Sequence, residues 1–571
     1  VKQGSLPITI GITGHRDIRD EDIPSLRDSV TKILKEISTK CPSSPLIVLS
    51  ALAEGADRVA AHTALETGAR LVVPIPFRRD LYERDFTSEA SKQEFASLLD
   101  RSERWFELPL LGSVREEDIL EYGPMRDRQY AYIGAYIARY SHFIIALWDG
   151  DPHEKVGGTS YVVNFKRRGI PPPFVTTQGR FEPEETGFVY HILAPRKNQT
   201  LPKGTPGSIT VLSPLETEKQ NVSDDKFDSI LADTDLFNSD EIRLLPSLGE
   251  LHAQSKQYLS PELPESLSDE RTSNLAEYFS IADTLAIYFQ KRTLRSLRVL
   301  FSTVMCATVI FGFYSNVDLG HPFELVVLFA IFLVAYVIFY FAARKKYQDK
   351  FQDYRALAEG LRIQYYWKLA GIDESVANNY LKEQRSELDW IRHGLRSWSL
   401  PLYKTGKPLL DLPPEENKRR WGIIVNGWVM DQYKYFAKSS LREVARLKKI
   451  NKVANIFLGT GFLLIALNMV YQYFIGYRHL PVLLFMSSVL PVGAGLLFGY
   501  AEKRSLSAHA RQYERMAALF SKAKRHLDES IEAGNFDEAR NIIYELGREA
   551  LKENGEWVLT HRERPIEIPL A

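Results

Sequence analysis

The sequence predicts an α/β amino-terminal domain followed by an all-α membrane region with four transmembrane helices and long cytoplasmic helices. Three observations carry that prediction. Strand-like and helix-like segments alternate through the first third of the chain, four uncharged stretches of membrane-spanning length follow, and basic residues cluster on one side of those stretches, with only Arg478 in a short connection on the other.

Residues 7–176 alternate apolar β-prone runs with amphipathic ones, the pattern of a parallel sheet covered by helices. ITIGI, LIVLS, RLVVPI, RWFEL, HFIIALW and FVTT are the expected strands, with helices near 22–38, 56–67, 88–99, 125–139 and 161–168. In a Rossmann-like domain of this kind, ligands bind beyond the carboxyl ends of the strands, where helix N-termini point free amides outward. Three strand ends supply candidates. The first runs into Gly11, Thr13, Gly14, His15 and Arg16, the second into Ser50, Glu54, Gly55 and Asp57, and HFIIALW into Asp149 and then Gly157, Gly158 and Thr159. Small residues there let a phosphate approach the backbone, while His15 and Arg16 add hydrogen bonds and charge. His15 reads equally as a structural or helix-capping histidine, and each glycine alone as a residue kept for its backbone freedom.

Four windows, 299–317, 325–343, 453–477 and 480–501, contain no Asp, Glu, Lys, Arg or His. Each is long enough to cross an apolar layer ~30 Å thick as a helix, the form that satisfies backbone amides where lipid offers no partner. Arg292, Arg295 and Arg298 precede the first window, Arg344, Lys345 and Lys346 follow the second, Lys448, Lys449 and Lys452 precede the third, and Lys503 and Arg504 follow the fourth. Basic residues stay in the cytoplasm. The expectation is therefore two membrane hairpins with both termini and the region between them cytoplasmic. Charges are absent within the spans, which argues against a transporter. Gly495 and Gly499 have the four-residue spacing that lets membrane helices approach closely. YRALAEGL, starting at Tyr354, and YERMAALF, starting at Tyr513, suggest an internal repeat of about 160 residues.

Composition narrows the partners. Lys plus Arg equals Asp plus Glu at 72 each, so no basic surface points to nucleic acid. Two cysteines, Cys41 and Cys306, leave no disulfide framework and no cysteine-rich metal site, as suits a reducing cytoplasm. No metal, cofactor or catalytic residue is assigned. VKQGSLPITI lacks a charged leader with a long apolar core, so membrane insertion is expected from the internal segments. Residues 177–270, rich in Pro, Ser, Thr and acidic side chains, read as an irregular extension and linker with one strand at FVYHILAP. The tryptophans of the cytoplasmic helices, Trp367 to Trp557, read as packing residues. The resulting division is 1–180 for the nucleotide-binding domain, 181–273 for the extension, 274–372 for the first hairpin with its flanking helices, 373–430 for a helical connector, and 431–571 for the second hairpin and the closing helices.

GITGHRD, SALAEGAD, RDRQYAYIGAYIARYSHFIIALWDG and the following GGT resemble the SLOG superfamily of Rossmann-like nucleotide-sensing and nucleotide-processing domains. YQDKFQDYRALAEGLRIQYYWKLAG, LKEQRSELDWIRHGLRS and ENGEWVLTHRERPIEIP resemble the membrane-bound SLATT-type proteins. The resemblance implies a bacterial conflict protein of the inner membrane, in which a nucleotide-derived ligand controls a membrane-perturbing, homo-oligomeric effector. One departure bears on chemistry. The phosphoribohydrolase branch carries a PGGxGTxxE loop with a catalytic glutamate, whereas Val162 stands at that acid's place in Gly157-Gly158-Thr159-Ser160-Tyr161-Val162. A membrane-tethered nucleotide-processing enzyme of the phosphoribohydrolase or glycohydrolase type, with Glu54 as a substitute acid, is the alternative expectation; a scaffold without a ligand is the third.

Overall fold

The structure, a computed structural model, describes residues 5–112, 114–152, 155–175, 185–198, 204–215, 225–260, 267, 269–317, 322–380, 388–400, 413–475 and 480–562. The chain forms two compact units, each built from two chain segments. One comprises Val1–Ile281 with Leu357–Asp411, the other Ala282–Ala356 with Leu412–Ala571.

The first unit is organised around a seven-stranded sheet. Its strands are β1 (Ile8–Gly14), β2 (Leu46–Leu49), β3 (Arg70–Ile75), β4 (Arg104–Glu107), β5 (Phe143–Trp148), β6 (Val189–Leu193) and β7 (Ile209–Leu212), in the order β4-β3-β2-β1-β5-β6-β7. All pairings are parallel except β6 with β7. Helices α1 (Ile23–Lys40), α2 (Ala56–Glu66), α3 (Glu89–Arg101), α4 (Pro124–Tyr140) and α5 (Thr159–Arg168) connect the parallel strands. Because both faces are covered, the central strands carry apolar runs instead of alternating patterns. In β5, Phe143, Ile145 and Leu147 enter one buried layer with Leu26, Ala60 and Phe95, while Ile144 and Ala146 enter the other with Ala131, Ala135 and Val162. Each fully buried side chain of this size contributes ~1.5–3 kcal/mol. β1 lies between β2 and β5, so chain progression reverses there, and the crevice of such a sheet opens beyond the carboxyl ends of those strands.

Two expectations need correction. Phe174 and Val175 of FVTT form no strand, and Thr176 and Thr177 lie outside the described residues. Pro171, Pro172 and Pro173 remove the amides a ladder needs, and Phe174 instead packs on Tyr161 and Phe165. The place beside β5 is taken by β6. The strand expected at FVYHILAP is β6, and the stretch read as irregular around it, from 177 to 270, also supplies β7 and helices α6 (Asp225–Leu244) and α7 (Gly249–Leu259). Its polar composition hid β7 and both helices, although α6 buries Phe227, Leu231 and Phe237.

Helices α8 (Glu270–Asn316), α9 (Pro322–Arg344), α10 (Tyr347–Ala370) and α11 (Asp389–Ser399) follow. The expected connector is not separate from the sheet. α11 packs beside it: Ser397 Oγ lies 3.5 Å from Thr9 Oγ1 of β1, the rings of His142 and His393 stack at 4.6 Å, and Trp398 lies flat on Tyr278 of α8 at 4.5 Å.

In the second unit, α12 (Pro414–Ile424) passes through a π-helical turn, Val425–Met430, into α13 (Asp431–Ile475). α14 (Pro481–Lys503), α15 (Leu506–Glu532) and α16 (Phe536–Arg562) complete the described chain. Four helical stretches, Glu270–Asn316, Phe323–Ala370, Pro414–Ile475 and Pro481–Glu532, contain windows long and apolar enough to cross a membrane. Within them Val326, Phe329, Phe462 and Met469 are more than 60 % exposed, so the surface of the spans is apolar in the manner lipid requires.

The suspected repeat is structural. Helix ends Asn316 and Ile475, helix starts Pro322 and Pro481, ends Arg344 and Lys503, and starts Tyr347 and Leu506 are all 159 positions apart. So are Lys346 and Ser505, which turn the chain through the left-handed region at φ 49° and 48°, and Tyr354 and Tyr513. The close helix contacts fall elsewhere than expected. A Cβ on Gly461 would lie 2.7 Å from the Pro491 ring, and one on Gly312 2.7 Å from Val489, whereas Gly495 has open space and Gly499 only an ordinary contact with Phe301.

Candidate functional site

Beyond the carboxyl ends of β1, β2 and β5 lies a cleft of about 280 Å³, lined by the β1 loop, the loop into α2, the face of α4 and the loop into α5. Of the sequence candidates, Thr13, Gly14, His15, Arg16, Asp57, Gly157, Gly158 and Thr159 line it. Gly11, Ser50, Glu54, Gly55 and Asp149 do not, and each has a structural task. A Cβ on Gly11 would strike Ser141 Oγ and Ile137 at 2.6 and 2.7 Å, so this glycine admits α4 against the sheet. Gly55, at φ +80°, lies where a Cβ would be 2.3 Å from the Arg16 carbonyl, and the neighbouring Ala56 amide donates to the His15 carbonyl at 3.0 Å. Glu54 accepts hydrogen bonds from the Thr87 amide and hydroxyl and from Ser91. Burial would raise its pKa, but these donors and Arg58 hold it below the ordinary value. It fastens the segment before α3 and faces no cleft.

Ser50 is fully buried; its hydroxyl accepts from the Leu52 amide at 3.1 Å and also bonds Asp57. Asp149 sits behind His15, its Oδ1 3.1 Å from Nε2, and also meets Arg196 Nε at 3.3 Å. Burial would raise the Asp149 carboxyl, but the Asp151 amide, His15 and Arg196 lower it. The His15 imidazole is pushed down by burial and by Arg196, against the pull of Asp149. The Asp149 amide also donates to His15 Nε2 at 3.2 Å, a bond that the neutral imidazole accepts.

The cleft carries both charges and one unusual acid, with Arg16, Lys155 and Arg196 sharing its lining with Asp17, Asp57 and Asp127. Arg16 is exposed, its guanidinium carbon 5.5 Å from the centre of the Tyr130 ring. Lys155 and Arg196 add positive charge, and α5 opens at Thr159 behind Gly157 and Gly158, directing its N-terminal dipole end to the same space. Gly157, at φ +77°, allows that loop to close on α4, where a Cβ would meet the Asp127 carbonyl and Tyr130 Cβ at 2.8 Å. Asp17 is paired with Arg196 at 3.2 Å. Asp57, buried in the first turn of α2, has its carboxyl pushed up to about 7 by burial, despite Arg16, the Ala53 amide, Arg58 and Ser50. It can therefore hold or release a proton near neutrality.

Sequence reasoning passed over Tyr82, Tyr122, Tyr130, Lys155 and Arg196, all of which line the cleft. Lys155 was within reach, two positions before Gly157 in the same loop. Tyr122 donates to Asp85 Oδ1 at 2.8 Å, and Tyr130 and Arg126 meet the same buried carboxylate. This cluster fixes the aromatic wall opposite Arg16. Among the described residues no group of His, Cys, Asp and Glu has the arrangement of a metal site.

The membrane region carries the comparison with known proteins. Residues 277–369 match the SMODS and SLOG-associating 2TM effector domain 3, SLATT_3. The matched stretch begins within α8, includes α9, and ends just before the last residue of α10, so it comprises the first hairpin with its flanking helices. That hairpin is similar to a two-span membrane effector domain, and the 159-residue repeat places its structural counterpart at 436–528. The chain matches no curated protein.

Proposed function

We propose that the protein is a ligand-gated membrane effector of bacterial defence, in which a nucleotide-derived anion bound in the cleft changes the state of two membrane hairpins in a homo-oligomer. One observation carries the reading: a cleft with Arg16, Lys155 and Arg196 in its lining, at a Rossmann-like switch point, occurs in the same chain as an effector-like hairpin and its structural repeat. The cleft motifs resemble SLOG domains, and the switch-point topology suits such a ligand. Helices α8 and α10 run unbroken from one compact unit into the other, giving the ligand's unit a direct covalent route to the first hairpin. A ligand acts through such a route only by binding two states with different affinity. Both termini lie in the cytoplasm, where the nucleotide is, and the membrane is the inner one. The expected output is an unselective leak, because charged rings and ordered carbonyl filters provide selectivity and the spans hold no charges.

The test is the full chain reconstituted in dye-loaded liposomes and exposed to a nucleotide panel. Dye release with one member of the panel, lost in Arg16→Gln, is expected; liposomes that stay sealed with a saturating bound nucleotide overturn the effector reading. A second reading rests on Asp57, whose carboxyl near 7 suits general acid work. In it, the chain is a membrane-tethered nucleotide-processing enzyme. Turnover of a panel member, abolished in Asp57→Asn without loss of binding, would favour that reading.

A further inference from the structure

At the opposite end of the sheet from the cleft, a second cavity of about 80 Å³ opens between α4, α5 and α11. Its wall carries four cationic side chains, Arg139, Lys166, Arg392 and Arg396, and two carboxylates, Glu185 and Asp389. Both Arg392 and Arg396 turn to Glu185, the latter with Nη2 2.6 Å from Oε2, and Arg392 Nη1 is 3.7 Å from Asp389. Lys166 Nζ is used otherwise, donating to the Ala138 and Ser141 carbonyls at 3.1 and 2.6 Å. The Arg396 side chain is 5 % exposed, and its Nε is buried with no acceptor among the described residues.

Buried cations are costly unless paired and hydrogen-bonded. Here the wall of one small cavity holds two more cations than carboxylates among the described residues, and a buried guanidinium donor remains unused. The electrostatics agree with the geometry. Burial and Arg396 push Lys166 down to about 7, burial and Arg396 bring Arg139 down to about 10, and burial brings Arg396 down to about 10. Each of these cations would be relieved by a multivalent anion between them.

We propose that this cavity is a second anion site that takes a phosphate group and thereby ties α11 to the sheet. A water needs only ~10–15 Å³ of such space, so the cavity has room for a tetrahedral oxyanion. The phosphate is either free or the terminal group of a nucleotide whose remainder stays outside. Its position matters because α11 belongs to the segment between the two hairpins yet packs on the sheet, with Ser397 Oγ 3.5 Å from Thr9 Oγ1. An anion bridging Arg139 of α4 with Arg396 of α11 strengthens that junction. The site is independent of the cleft reading.

The experiment uses the full chain in detergent, with inorganic phosphate and AMP titrated by calorimetry into wild type, Arg396→Gln, Arg139→Gln and Arg16→Gln. Phosphate binding that persists in Arg16→Gln, whose cleft is disabled, is expected, and Arg396→Gln and Arg139→Gln should weaken that remaining binding at least tenfold. Arg139 is only half-buried, so Arg139→Gln decides the matter if Arg396→Gln fails to fold. AMP binding with the same dependence on Arg139 assigns the phosphate to a nucleotide, whereas binding of inorganic phosphate alone assigns it to the free anion. No phosphate binding to wild type, undiminished binding in Arg139→Gln, or binding lost only in Arg16→Gln overturns the proposal.

Discussion

Replacing Asp57 by Asn should stabilise the protein in alkali and leave it nearly unchanged in acid. The native carboxyl titrates at about 7 against an ordinary 3.8, so between those values the folded chain keeps a proton that the unfolded chain releases. Stability from this group is complete below pH 3.8 and falls as pH rises through 7. At ~1.4 kcal/mol per unit, the displacement from 3.8 to about 7 corresponds to ~4 kcal/mol lost once Asp57 is ionised. Relaxation and water entry in the ionised state reduce that figure, and ~2 kcal/mol retained would raise the unfolding temperature by ~3 °C in a unit of this size. The assay is thermal unfolding of the full chain in detergent at pH 5 and pH 8.5, read as the difference between variant and wild type. The difference is needed because burial drives His142 down to about 3 and lowers His15, His191 and His393, so these groups lose stability as pH falls below 6.5, the opposite trend. A variant no more stable than wild type at pH 8.5 would refute the assignment of a buried, proton-holding Asp57.

Arg16→Gln should weaken an anionic nucleotide ~10–100-fold, the worth of one charge-assisted hydrogen bond, while the exposed position leaves the unfolding temperature unchanged; calorimetry with the active panel member measures it. Gly55→Ala should cost at least ~3 kcal/mol by denaturant unfolding, since it combines left-handed strain with a carbonyl clash, whereas Gly68→Ala, at φ +84° in open space, should cost only ~1 kcal/mol. In the membrane, Gly461→Leu should destabilise the detergent-solubilised bundle and Gly495→Leu should not, because only the first meets a neighbouring helix. In intact cells, an impermeant thiol reagent should label Arg478→Cys and spare Lys418→Cys in a background without Cys41 and Cys306; labelling of Lys418→Cys would reverse the topology.

Much of this architecture was readable because burial imposes patterns. The aliphatic runs of β1, β3 and β5 and the uncharged windows of the spans are dictated by what surrounds them, and the helix bounds fall within a few residues of expectation. The cleft was half readable. A strand-end glycine announces that something approaches the backbone, but the sequence does not say whether that neighbour is a ligand or the protein itself. For Gly11 and Gly55 the neighbours are the protein's own atoms, and for Gly14 a Cβ would meet Ala56 and the Leu147 carbonyl as well as face the cleft. Arg196 reaches the site from just beyond β6, and the strand expected at FVYHILAP did not reveal that its end lies beside β5 and the cleft. The Asp85 cluster depends on a carboxylate in the short turn Glu83–Asp85, where no periodicity exists to mark it. The docking of α11 on the sheet joins positions more than 240 residues apart, and a strongly amphipathic helix does not name the surface it meets.

The duplicated hairpin has drifted apart in one telling respect. Asn468 and Gln472 of the second copy stand where the first copy, 159 positions earlier, has Val309 and Phe313. Asn468 is buried with its carbonyl oxygen unbonded among the described residues, whereas the Thr303 and Thr308 hydroxyls of the first copy bond carbonyls of their own helix. A gene that doubles a membrane module can divide its labour between the halves. Here the first copy has apolar Val309 and Phe313 where the second sets carboxamides, so the two halves offer different surfaces to any water that enters the apolar layer.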